Sequence, residues 1–171
     1  MRRIVLAGLL CGIVMMATGA SAMAQDRPIA EVFAGGSFDR FSSTNFGGWN
    51  AAVTGNVNSW LGITADFAGQ YNSPLSLYTY TVGPRLSIPQ DSGLVPFVQA
   101  TFGGARLGVS GPLGGHANGF GAYLGGGIDW IPNQRIAVRL MEIDALLTRT
   151  SGNNTNGTRL SFGVVFRLGR R

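Results

Sequence analysis

The chain contains no lysine, and charged residues of any kind are scarce. All 13 basic residues are arginine, and charged residues make up 12% of the 171 positions. A soluble domain usually carries mixed charges over about a quarter to a third of its surface. So little charge argues against an ordinary water-facing surface. The arginines are also spread along the chain rather than gathered in a stripe, which argues against nucleic acid as a partner.

Cysteine is almost absent as well. The single Cys11 lies within residues 1–24, which have the features of a cleaved signal peptide: two arginines, an apolar run and a small-x-small ending. Cleavage is predicted after Ala24, with Ala22 as the alternative. The domain that follows, 25–171, therefore has no thiol, disulfide or Cys-metal chemistry.

After the signal segment, no apolar run is long enough to form a transmembrane helix. Instead, apolar and small polar residues alternate with a period of two, which is typical of β-strands. Most of the alternating stretches have the length of a tilted membrane-spanning strand, about 9 to 11 residues. The pattern predicts eight strands, at 29–38, 47–57, 60–71, 77–88, 94–105, 119–130, 135–148 and 158–168.

The connections between these strands alternate in length. Short turns are predicted at one end, and longer segments rich in Gly, Ser, Thr and Asn at the other, namely 39–46, 106–118 and 149–157. An even strand count with this layout predicts an all-β, eight-stranded antiparallel up-and-down transmembrane β-barrel. The small polar residues would fill its narrow lumen. A soluble, lipocalin-like ligand-binding barrel in the periplasm, with the two faces reversed, is the alternative.

Two strands depart from regular alternation. Pro84 lies inside the fourth strand, where it cannot donate a ladder hydrogen bond, so a bulge is expected there. In the seventh strand, Arg139 and Asp144 have opposite parity, and a bulge near Met141 is needed to turn both inward.

Large aromatic residues fall near both ends of the predicted strands. Trp60 and Trp130 lie near the short turns, whereas Trp49, Tyr71 and Tyr78 lie near the longer connections. Two such groups suit the interfacial aromatic girdles of a membrane barrel. The alternative is that these residues are ordinary strand formers.

Several segments resemble those of small bacterial outer-membrane β-barrel proteins of the OmpA/OmpX type, the outer membrane protein beta-barrel domain. The resemblance covers residues 28–168 and is sharpest in the last strand, where Ser161, Gly163, Phe166 and Leu168 match a polar-x-Gly-x-x-aromatic-x-apolar form. It implies that this strand is the signal read by the barrel assembly machinery. It also implies a location in the outer membrane, after export through the periplasm.

The inward parity of the predicted strands collects charges of both signs. Because an unpaired buried ion costs several kcal/mol, these charges are expected to pair. They would form either a structural plug or a switchable gate for ions or small solutes. The predicted lumen cluster consists of Asp66, Arg85, Asp129, Arg139, Glu142 and Asp144, with Glu31 and Arg167 nearer the ends.

Little else in the sequence indicates chemistry. His116 lies near Ser110 in a Gly-rich loop, but no residue pattern supplies the base and orienting group of a nucleophile, so a solvated histidine and no enzyme are predicted. No metal-ligand spacing and no cofactor motif are present. The predicted loop residues Arg40, Arg106 and Arg149 could attract lipopolysaccharide phosphates, or could simply be scattered. The overall prediction is a monomeric structural barrel supporting envelope integrity, in contact with outer-membrane lipid.

Overall fold

In a computed structural model, residues 28–41, 44–88, 90, 92–109, 115–150 and 153–169 are described, without the side chains of 148–150 and 153–155. The predicted signal peptide at 1–24 lies outside these residues. No helix long and apolar enough to cross a membrane occurs in the described part. Eight strands make up the fold: β1 Ala30–Phe41, β2 Thr44–Asn56, β3 Leu61–Asn72, β4 Leu75–Ser87, β5 Leu94–Val109, β6 His116–Trp130, β7 Ile136–Thr150 and β8 Asn153–Leu168.

The strands form one closed sheet. Each strand pairs antiparallel with the next, and β1 pairs with β8 along its whole length, from Ala30 opposite Leu168 to Phe41 opposite Gly157. Closure leaves no strand edge unpaired, which a sheet surrounded by lipid requires because nothing there can hydrogen-bond a free backbone group. The predicted eight-stranded antiparallel barrel is confirmed.

The strands are longer than predicted at one end of the barrel. β5 runs to Val109, β6 begins at His116 and β8 begins at Asn153, so most of the predicted long connections at 106–118 and 149–157 belong to strands. Gly, Ser, Thr and Asn favour turns in isolation. In a closed sheet, however, both neighbouring strands supply backbone partners, and pairing overrides that local preference.

Two of the short turns at the other end are built around an asparagine. Asn58 Oδ1 accepts hydrogen bonds from the backbone N–H groups of Trp60 and Leu61, at 2.9 and 2.8 Å. Asn133 Oδ1 does the same for Arg135 and Ile136, at 3.0 and 2.8 Å. A side chain that mimics a backbone turn in this way fixes the start of the next strand.

The bulge predicted near Met141 is present. The register with both neighbouring strands shifts between Arg139 and Glu142, and Leu140 and Met141 both face outward. Because one extra residue is accommodated there, Arg139 and Glu142 both face the lumen although they are three residues apart.

The bulge expected at Pro84 is not present. Val82 opposite Phe102 and Arg85 opposite Gln99 keep the same register across β4 and β5. Only residues 83 and 84 of β4 are left unpaired with β5, and no extra residue is inserted. The missing N–H of Pro84 therefore falls within a short gap in the hydrogen-bond ladder.

The outer face of the barrel is apolar and its lumen is polar. On β6, four large apolar side chains point outward, namely Phe120, Leu124, Ile128 and Trp130. His116, beyond Phe120, is the first exposed imidazole or charge on this strand. Ten residue steps of about 3.3 Å at a tilt of about 40° give a band about 25 Å tall. That height matches the lipid-facing band of an outer-membrane barrel. The faces are therefore the reverse of those of a soluble lipocalin-like barrel.

Glycine allows the close approach of β8 to β1. Gly163 lies opposite Gly35, and a Cβ added to Gly163 would lie 2.5 Å from the Gly35 Cα. Backbone atoms cannot move aside as a flexible side chain can, so a larger residue must push the two strands apart. Gly55 faces outward near the end of β2, and a Cβ added to it would have no atom of a non-adjacent residue within 4 Å.

We expect Gly163→Ala to lower the free energy of unfolding by about 1–3 kcal/mol, the usual cost of overpacking. Gly55→Ala is the matched control and should be neutral or slightly stabilising, because it restricts only the unfolded chain. Urea unfolding in lipid vesicles, followed by tryptophan fluorescence, measures both. Equal stabilities for the two variants would contradict the close packing of β8 on β1.

Candidate functional site: the charged lumen

The six residues of the predicted lumen cluster are all buried inside the barrel. The sequence scatters them over four strands, and alternation, together with the bulge in β7, turns each one inward. The structure gives them exposed fractions of 4% or less: Asp66, Arg85, Asp129, Arg139, Glu142 and Asp144.

One group of ion pairs lies towards the short turns. Arg139 binds two carboxylates, with its Nε 2.8 Å from Asp129 Oδ1 and its Nη1 2.6 Å from Glu142 Oε2. Arg85 Nη2 lies 2.6 Å from the other oxygen of Asp129. Asp129 therefore receives a guanidinium on each oxygen and links β4, β6 and β7.

Aromatic rings complete this group. The Arg85 guanidinium lies 3.8 Å from the centre of the Phe97 ring. Arg139 lies 4.3 Å from the centre of Phe33 and 4.5 Å from that of Phe97. A desolvated guanidinium over a ring face gains about 2 kcal/mol. The rings thus partly replace the water that these cations lose.

A second group is centred on Arg159 of β8. Its Nη1 lies 2.9 Å from Asp66 Oδ1, and its Nη2 lies 2.8 Å from Asp144 Oδ2. The guanidinium also lies 4.3 Å from the centre of the Tyr123 ring and 3.9 Å from Glu142. Glu142 therefore lies between the two groups, because it also pairs with Arg139.

Neutral amides extend the network to further strands. Gln99 Nε2 donates to Glu142 Oε1 at 2.6 Å, and Asn50 Nδ2 donates to Asp66 Oδ2 at 2.9 Å. These bonds occupy carboxylate oxygens that the arginines leave partly free. Interior oxygens with satisfied hydrogen bonds hold a network in one arrangement.

The prediction from sequence missed two charged residues of the lumen. Arg159 is fully buried at the centre of the network, and Asp39 is 2% exposed. Arg159 shares inward parity with Ser161, so alternation could have found it. Asp39 had no such signal, because it was assigned to the connection at 39–46, which the structure places mostly in β1 and β2.

The lumen contains a small cavity beside the short turns. Its volume is about 40 Å³, and Arg85 and Asp129 are among its lining residues. Glu31 and Arg167 line it too, with Arg167 Nε 3.6 Å from Glu31 Oε1 and both side chains partly exposed. This volume holds one or two water molecules. The predicted pair near the barrel end is therefore a looser, wetter contact than those inside.

All five predicted girdle aromatics lie on the outer face. Tyr71 and Tyr78 make an edge-to-face contact with ring centres 5.8 Å apart, and Trp49 Nε1 donates to Tyr71 Oη at 3.4 Å. Trp60 and Trp130 lie at the opposite end of the barrel. The two groups thus flank the apolar band.

The predicted assembly-signal residues all lie on β8. Ser161 is buried in the lumen, Gly163 faces the same way, and Phe166 and Leu168 point outward. These four residues therefore lie on the strand that closes the barrel by pairing with β1.

Three residues assigned to long loops lie on strands instead. Arg40 of β1 and Arg106 of β5 are exposed on the outer face above the apolar band, and Arg149 belongs to β7, with its side chain outside the described part. His116 is the exposed first residue of β6, opposite Gly108. Ser110, its predicted neighbour, is also outside the described residues.

Within the described ranges, no cluster of three or more His, Cys, Asp or Glu side chains could hold a metal ion. Among the same residues, no carboxylate or hydroxyl is hydrogen-bonded to the His116 imidazole. Four carboxylates of the lumen are engaged by guanidinium groups, whereas neither oxygen of Asp39 has a hydrogen-bond partner among the described residues. The chemistry of this interior is that of ion pairing.

The solved structures that are similar to this fold include three outer-membrane proteins. Neisserial surface protein A gives a TM-score of 0.67 at 15% identity, covering 81% of this chain and 96% of that one. The N-terminal barrel domain of Pseudomonas aeruginosa OprF gives 0.57 at 12% identity, covering 83% and 100%. Ail of Yersinia pestis, the attachment invasion locus protein, gives 0.52 at 15% identity, covering 82% and 99%.

No family model and no curated protein matches the sequence. At such low identities the structural likeness shows the fold. The chain has the architecture of small bacterial outer-membrane β-barrels, which confirms the resemblance seen in its sequence.

Arg159→Met should be the most damaging single change in the lumen. It leaves Asp66 and Asp144 buried without their main cation, and breaking a buried pair in this way costs about 3–5 kcal/mol. Arg167→Ala is the control, because its pair with Glu31 is partly exposed and contributes about 1 kcal/mol or less. Urea unfolding in vesicles compares them, and similar losses would contradict the central position of Arg159.

Proposed function

We propose that this protein is a structural barrel of the bacterial outer membrane, whose lumen is closed by its ion-pair network and which supports envelope integrity. The observation that carries the proposal is the interior itself. Arg159 and Arg139 each contact two or more carboxylates across the lumen. Side chains so paired fill an eight-stranded barrel and stiffen it.

The outer face supports the membrane location. An apolar band about 25 Å tall with aromatic residues at both borders matches the lipid-facing surface of such barrels. The proposal includes cleavage of residues 1–24, export through the periplasm, insertion by the barrel assembly machinery acting on β8, and a monomeric state. Its partners are membrane lipid and, through outward arginines above the band, lipopolysaccharide phosphates.

We assign no enzymatic role. His116 lies on the outer wall, and the acidic residues of the network lie inside the barrel. A nucleophilic mechanism needs a base within hydrogen-bond reach and a group that orients it. The described surroundings of His116 offer no carboxylate for that purpose.

A gated pathway for small ions is the second candidate, and one observation favours it. Glu142 lies 2.6 Å from Arg139 and 3.9 Å from Arg159, so a small movement exchanges its partner. Among the described side chains, the buried charges comprise five carboxylates and three guanidinium groups, an excess that favours cations over anions.

The two candidates differ in a planar bilayer. The folded protein should migrate differently before and after boiling, because a closed barrel resists detergent until heated. The folded band should then record as electrically silent, and Arg85→Ala and Arg139→Ala should open conductance by removing parts of the plug. Discrete cation-selective steps in the unaltered protein would favour the gate instead.

Envelope integrity needs a cellular measurement. Cells lacking the protein should leak a periplasmic reporter enzyme and take up a bulky dye faster than the parent. Expression of the intact chain should restore the barrier. Restoration by the Arg159→Met variant at equal folded abundance would contradict a role that depends on a stiff, filled barrel.

A further inference from the structure

The outer wall of the barrel carries a cavity that the lumen network does not explain. It has a volume of about 320 Å³ and lies on the face of β4, β5 and β6 that points away from the lumen. Its volume is at the lower end of the range for small-molecule sites. The lining residues are Ser76, Tyr78, Tyr80, Arg106, Gly108 and His116.

Strand register places these residues in adjacent rows. Ser76 lies opposite Gly108, which in turn lies opposite His116, and Tyr78 lies opposite Arg106. Gly108 forms the floor: a Cβ there would lie 2.8 Å from Ser76 Oγ and 3.4 Å from His116 Nδ1. The cavity therefore exists because Gly108, which lies between Ser76 and His116, has no side chain.

The cavity matches an anion in its chemistry. The Arg106 guanidinium, the Ser76 hydroxyl and the His116 imidazole can all donate hydrogen bonds, and no carboxylate is among the lining residues. Arginine presents paired N–H donors that suit phosphate geometry. Within the lumen every arginine of the network already has a carboxylate partner, whereas Arg106 is exposed on the wall.

The position of the cavity identifies the source of the anion. Tyr78 belongs to the aromatic group at the upper border of the apolar band, and Phe102 and Phe120 face lipid just below Arg106. A group bound here lies at headgroup depth, beside the strands and outside the lumen. A lipid can reach this site with its phosphate while its chains lie along the apolar band.

We propose that this wall cavity binds the phosphate of an anionic lipid headgroup in the outer leaflet, with Arg106 as the main contact. The proposal rests on the membrane placement argued above and names one site for the lipid partner. It distinguishes Arg106 from Arg40, which also faces outward above the band but lies opposite Asn45 and Thr158.

The test is a lipid titration of folded protein in neutral detergent, read by native mass spectrometry. The probe is diphosphoryl lipid A, and its fully dephosphorylated form is the matched lipid. Arg106→Gln should weaken binding of the diphosphoryl form about tenfold or more, as expected for a lost charge-assisted contact. Arg40→Gln should change it less than twofold, and the dephosphorylated lipid should bind weakly to every variant.

A second variant tests the shape of the site without changing its charge. Gly108→Ala keeps Arg106 but fills the floor of the wall cavity. It should weaken binding of diphosphoryl lipid A several-fold while leaving the gel mobility of the folded protein unchanged. An equal loss of lipid affinity in Arg106→Gln and Arg40→Gln would overturn the proposal. Phosphate would then be attracted by any outward arginine above the apolar band, without a defined site. If inorganic phosphate at the same concentration displaced diphosphoryl lipid A, a lipid as the source of the bound phosphate would be ruled out.

These outcomes are independent of the proposed structural role. A variant that loses lipid binding should keep its heat-dependent mobility and its silent recording. Failure of those two measurements in the unaltered protein would count against the structural barrel, whichever lipid result is obtained.

Discussion

Burial of charge inside a narrow cylinder is the constraint on which the rest of this interior depends. Eight strands leave a lumen just wide enough for side chains, so an ion placed there loses its water and must find partners among its neighbours. Arg159 does so by binding Asp66 from β3 and Asp144 from β7. Neutral side chains then pack around these pairs and supply further hydrogen bonds and a ring face to the ions: Asn50, Gln99 and Tyr123.

Backbone irregularity serves the same end. Without the shift in register between Arg139 and Glu142, one of the two would point into lipid, where a charge is costly. The bulge instead sends Leu140 and Met141 outward together and turns both charges into the lumen, where Arg139 binds Glu142 as well as Asp129. The outer face stays apolar at the bulge, because both of the residues that point outward there are apolar.

Alternation was sufficient to predict the fold and most of the lumen. Asp66, Arg85 and Asp129 lie within long, regular stretches, and their facing follows from parity alone. Asp39 and the true ends of β5, β6 and β8 were missed, because Gly, Asn and Thr favour turns locally and pairing with both neighbours is a property of the closed sheet. Partner choice was also beyond reach, since Arg159 and Asp66 are separated by 93 residues.

That separation bears on how the barrel enters a membrane. Asp66 is on the third strand and its cation is on the last, so the pair forms only when the sheet curls round and β8 meets β1. Any partial sheet would carry uncompensated carboxylates towards hydrocarbon, which is strongly unfavourable. We therefore expect such intermediates to be scarcely populated, and lumen neutralisation and strand closure to occur together in one cooperative step.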